Sequence, residues 1–112
     1  MTALALGPTQ AGAHARLLHA LPKVGATVSR APAELRLWFS EAIEPAFSTI
    51  TLSGADGRPA TTGRLSLDPQ DRRVAIVPIP VALPPAAYRV RWRVTSTDSH
   101  RTEGDFTFTI KP

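Results

Sequence analysis

The 112-residue sequence has no cysteine. That absence excludes a disulfide scaffold, a thiolate nucleophile, an iron–sulfur or structural zinc-finger site, and the Cys ligand of a blue-copper electron carrier. It also lacks any marked excess of one charge: 13 basic residues against 9 acidic ones leave +4. The basic residues form no run, because Glu34, Glu41, Glu44, Asp98 and Glu103 lie among them, so the chain does not read as a nucleic-acid binder. No apolar stretch approaches the ~18 residues that would cross a bilayer. Gly and Pro, 7 and 11 residues, stay below the share that marks low-complexity chains. The length leaves room for one compact core and no second domain.

What is present is alternation. Leu35, Leu37 and Phe39 alternate with Arg36, Trp38 and Ser40; Tyr88, Val90, Trp92 and Val94 alternate with three arginines; Phe106, Phe108 and Ile110 alternate with two threonines. A period of two puts each apolar set on one face of a sheet. Shorter runs at 15–21, 49–53, 64–67 and 74–79 bring the expected total to about seven strands. Turn signals separate them: Pro22 to Gly25, Ala31-Pro32, Gly54 to Gly57, Asp68 to Asp71 and Leu83 to Pro85. No helical period competes. Short strands at roughly ten-residue spacing predict an all-β, antiparallel Greek-key sandwich or barrel. The two tryptophans are expected in its packing, and the Arg89, Arg91, Arg93 row on a solvated face.

The first thirteen residues carry no charge and end in Ala11-Gly12-Ala13, the small-x-small pattern at which signal peptidase cuts. Residues 1–13 are read as a signal-peptide remnant or a flexible tail, with 14–112 as the folded domain. Cleavage there would expose His14 as a new amino terminus, and an amine and imidazole on one residue chelate a metal. At the end of the strongest strand, Asp98 and His100 are spaced i, i+2, so in extended chain both side chains project to one side. An Asp-x-His on a loop equally fits an exposed histidine beside an aspartate that satisfies turn amides. With His14 added, two imidazoles, an amine and a carboxylate form a set favoured by tetragonal Cu(II).

Several stretches resemble the CopC copper-resistance family. They are His14-Ala15-Arg16-Leu17, Pro22 to Gly25, Leu37-Trp38-Phe39-Ser40-Glu41, Gly57, Tyr88 through His100, and Gly104 to Phe108. The most specific are Phe-Ser-Glu and Trp-Arg-Val-x-Ser-x-Asp-x-His. The resemblance implies a cupredoxin-like, immunoglobulin-like sandwich that binds Cu(II) through His14, Asp98 and His100, with Glu41 as an outer ligand. It implies a periplasmic or otherwise extracytoplasmic protein of copper resistance or homeostasis, not an enzyme, that sequesters copper or passes it to a CopD-like inner-membrane partner. The chain is expected to act as a monomer. The family's methionine-rich Cu(I) site is not expected, because the one methionine is Met1.

His19 is expected as an edge or partly packed histidine, or as an auxiliary ligand when the amine at His14 is blocked. Two other classes stand beside the copper carrier. A histidine-brace monooxygenase also uses an N-terminal His and a second His, but an Asp in the coordination sphere would occupy space its oxidant needs. A metal-free immunoglobulin-like interaction module rests on fold analogy alone.

Overall fold

A computed structural model describes residues 14–112; the expected cleavage segment at 1–13 lies outside them. Eight strands follow in chain order: β1 (Leu17–Leu21), β2 (Thr27–Val28), β3 (Glu34–Phe39), β4 (Thr49–Gly54), β5 (Ser66–Asp68), β6 (Asp71–Pro78), β7 (Ala87–Thr95) and β8 (Arg101–Ile110). They form two four-stranded sheets, ordered β1-β3-β6-β5 and β2-β8-β7-β4. Apart from the parallel β2–β8 contact, every pairing is antiparallel. The chain changes sheet after β1, β2, β3, β4 and β6, so the expected sandwich is the observed one.

The alternation works as expected where the apolar set is continuous. Leu35, Leu37 and Phe39 from one sheet meet Val90, Val94 and Phe108 from the other, all buried. Side chains interdigitating between two inner faces give such a sandwich its core.

The strand count is eight rather than about seven. The additional element is β2, two residues long, whose pairing with Thr109 and Ile110 of β8 has no periodicity to announce it. β8 also begins at Arg101 rather than at Phe106, because Arg101-Thr-Glu-Gly-Asp105 is polar and interrupted by glycine. Its partner carries the pairing: Arg93 and Val94 of β7 stand opposite Glu103 and Thr102.

The outer faces differ. On the second sheet, Arg93 pairs with Glu103 and Arg89 with Asp105, each at 3.1 Å, so the arginine row is a solvated face braced by exposed, individually weak ion pairs. On the first sheet, Trp38 points outward. It stands in register with His19 and Val74, and its ring lies 4.6 Å from the His19 imidazole. The tryptophan that packs against the core is Trp92, half-buried and set edge-on to Phe39 at 5.3 Å.

One end of the sandwich gathers the β7–β8 connection, the segment after β3 and the approach to β1. Glu44 N–H donates to Thr95 O at 2.8 Å and Thr97 N–H to Ala42 O at 3.0 Å, while Ile43 and Ser96 form an isolated bridge.

Candidate metal centre

The connection from β7 to β8 is a tight turn closed by backbone bonds, Ser96 N–H to His100 O and Ser99 N–H to Ser96 O, both 2.9 Å. Ser99 takes a left-handed conformation, φ 74°, which non-glycine residues adopt only where neighbouring structure holds them. Its consequence is that Asp98 and His100 fold back on each other. Asp98 Oδ1 accepts the His100 N–H at 3.2 Å, and Oδ2 lies 3.2 Å from His100 Nδ1.

Ser96, buried at the base of the turn, donates its hydroxyl to Asp98 Oδ1 and lies 3.1 Å from His100 O. This hydroxyl first, and His100 second, hold the Asp98 pKa down to about 2, because both stabilise the ionised carboxylate. A carboxylate on Nδ1 also fixes the imidazole tautomer and leaves Nε2 of His100 with a free lone pair.

His14 arrives from the other side. Its ring lies 4.5 Å from that of His100, tilted by 37°, although 86 positions separate the two residues in sequence. Three side-chain hydrogen bonds hold the segment behind it. Ser40 Oγ donates to His14 O at 3.2 Å and accepts the Arg16 N–H at 2.8 Å, and Thr102 Oγ1 donates to Ala15 O at 2.8 Å. Within this arrangement His14 Nε2 is buried and has no hydrogen-bond partner among the described residues. A buried, unpartnered imidazole nitrogen is costly, and the chemistry that satisfies such a lone pair includes a transition-metal ion.

The structure therefore brings His14, Asp98 and His100 to one end of the sandwich. They are linked in series, His14 to His100 to Asp98; among the described residues no three His, Asp or Glu side chains converge on one point as a finished cation cage. His19 lies apart from that group, against Trp38 on the outer face of the first sheet. Glu41 follows Ser40, and its charge is felt by Arg73, whose pKa is raised chiefly by hydrogen bonding to Asp71 and least by Glu41. Sequence reasoning missed Ser96, Ser40 and Thr102. Ser40 and Ser96 lie within the Phe-Ser-Glu and Trp-Arg-Val-x-Ser-x-Asp-x-His stretches, which assign neither of them a role; Thr102 has no signal.

Comparisons with known proteins bear on the family and the fold. The sequence model of the CopC domain matches residues 17–111. Protein YobA of Escherichia coli (strain K12) is 38% identical over 99 residues, covering 88% of this chain and 80% of its own. The crystal structure of CopC from Methylosinus trichosporium OB3b superimposes with a TM-score of 0.82 at 29% identity, over 88% of this chain and 95% of that one. PcoC, a methionine-rich copper resistance protein from Escherichia coli, does so with a TM-score of 0.77 at 30% identity, over 88% and 99%. No helix among the described residues is long and apolar enough to cross a membrane.

Proposed function

The chain belongs to the CopC family, a family of copper-binding resistance proteins rather than enzymes, and from that premise we propose that it binds Cu(II) outside the cytoplasm through His14, Asp98 and His100. The family sets aside the monooxygenase and the metal-free module. The observation that carries the reading is the pair of imidazoles 4.5 Å apart, one with a buried Nε2 that has no partner among the described residues and the other held by a carboxylate. Two imidazoles and a carboxylate suit Cu(II), whose preferred donors are nitrogen and oxygen in a tetragonal set. Asp98 serves in two ways, as an oxygen donor and as the group that orients His100. Its negative charge offsets part of the charge of the ion.

Processing before His14 adds the α-amine of that residue to the donor set, and the cleaved form binds more tightly than the full chain. The protein holds copper or hands it to a CopD-like membrane partner. No thioether site for Cu(I) is expected. Soft sulfur donors select the reduced ion, PcoC is methionine-rich, and this sequence has Met1 alone.

The test is a Cu(II) titration against a competing chelator, using the full chain and the form that begins at His14. One Cu(II) per chain is expected, and His100→Ala should weaken binding by orders of magnitude. An affinity that His100→Ala leaves unchanged would remove the proposed site.

A further inference from the structure

His14 and His100 belong to different layers of the sandwich. His14 precedes β1, in the sheet ordered β1-β3-β6-β5, whereas His100 directly precedes β8, in the sheet ordered β2-β8-β7-β4. No strand pairing joins β1 to β8, so the sheets by themselves do not fix the distance between the imidazoles. One hydroxyl ties the His14 segment directly to β8, and a second braces that segment from within its own sheet. Thr102, two residues into the strand that carries His100, donates across the layers to Ala15 O at 2.8 Å. Ser40, at the end of β3, grips both sides of the same tripeptide, donating to His14 O at 3.2 Å and accepting from Arg16 N–H at 2.8 Å. Its backbone N–H adds a bond to Arg16 O at 2.8 Å. Ala15, between them, is buried.

Resting on the copper reading above, we infer that Thr102 and Ser40 are positioning residues that hold the His14 imidazole over His100 and so set the affinity of the site. Neither side chain would touch the metal. Thr102 ties one imidazole-bearing segment directly to the other, and Ser40 stops the tripeptide from rotating about that tie. Without them the backbone bond from Ser40 N–H to Arg16 O and the burial of Ala15 still place the segment, but no side-chain bond fixes the carbonyls of His14 and Ala15. Partners of this outer kind typically change metal affinity about ten- to hundredfold when removed.

The experiment compares Thr102→Val, which keeps the shape and strand preference of the side chain but deletes its donor, with Thr102→Ser, which restores it. Both are read in the full chain by competition for Cu(II), by the Cu(II) electron paramagnetic resonance spectrum, and in the metal-free protein by the nuclear Overhauser contact between the two imidazoles. Thr102→Val should weaken Cu(II) binding about tenfold or more, change the spectrum and lose the inter-ring contact, while Thr102→Ser retains all three. In a His14→Ala background, Thr102→Val should have no further effect on affinity, since the residue it positions is gone. Ser40→Ala provides the same comparison if Thr102→Val does not fold. Equal losses with and without His14 would overturn the inference, as would an unchanged spectrum and inter-ring contact in Thr102→Val and Ser40→Ala. Failure of the unsubstituted protein to bind Cu(II) would instead overturn the copper reading, and the inter-ring contact would still test the positioning role.

Discussion

A methyl group added at Gly104 would collide with Trp92. The two residues face each other in register across β7 and β8, and a Cβ at position 104 would lie 2.6 Å from Cζ2, 2.9 Å from Cε2 and 3.2 Å from Nε1 of the indole. Carbon atoms in comfortable contact stand about 3.5–4.0 Å apart, so the ring would have to withdraw by about 1 Å. One side of the half-buried ring is set edge-on against the buried Phe39 at 5.3 Å, so withdrawing in that direction disturbs the core. Overpacking of this kind costs about 1–3 kcal/mol, and disturbing the edge-to-face pair adds about 0.5–1.5 kcal/mol. Replacing glycine by alanine within a strand returns about 0.5–1 kcal/mol through the smaller entropy of the unfolded chain. The net expectation for Gly104→Ala is a loss of about 2 kcal/mol, or roughly 8–15 °C in Tm for a domain of this size. Urea unfolding followed by circular dichroism measures it, and the cycle with Trp92→Leu isolates the cause. With the indole removed, Gly104→Ala should become neutral or stabilising. A cost that stays the same in the Trp92→Leu background would refute the clash.

Three further outcomes concern the site. Asp98→Asn should weaken Cu(II) binding about ten- to hundredfold. The Ser96 hydroxyl and then His100 keep Asp98 ionised down to about pH 2, so the carboxylate does not titrate while copper is bound. With Asp98 already ionised throughout, the ratio of wild-type to Asp98→Asn affinity should stay flat from pH 7 to pH 5. A ratio that collapses towards unity over that range counts against it. His19→Ala should leave Cu(II) affinity within about twofold, since the ring lies against Trp38; a loss beyond tenfold, measured by the same titration, would make His19 a ligand. Finally, Cu(I) should be lost to a Cu(I)-selective chelator under reducing conditions, and strong retention would contradict the reading from the missing methionines.

The parts of this structure legible in the sequence are those that repeat. Leu35, Leu37 and Phe39, or Phe106, Phe108 and Ile110, announce a strand and its buried face because burial on one side imposes a period of two. The first half of β8 has no such set: Thr102 and Gly104 face the same way as Phe106, but one is spent on a hydrogen bond and the other makes room for an indole. Trp38 shows the limit of parity. Its alternation with Leu37 and Phe39 gave the face correctly, whereas its aromatic character suggested the core; the edge strand β1 gives it His19 as a partner on the outside instead. The site divides in the same way. Asp98 and His100 are visible as two ligand-type residues at the end of the strongest strand, but the extended geometry their i, i+2 spacing implies gives way to a tight turn with Ser99 left-handed; His14 is visible through the cleavage pattern before it. Ser40, though part of the Phe-Ser-Glu stretch, and Thr102 show no role, since a hydroxyl reveals its role only through its acceptor, and the acceptors lie 26 and 87 positions away along the chain. The sequence thus displays the donor atoms, while the distance between them depends on contacts that exist only once the two sheets have closed.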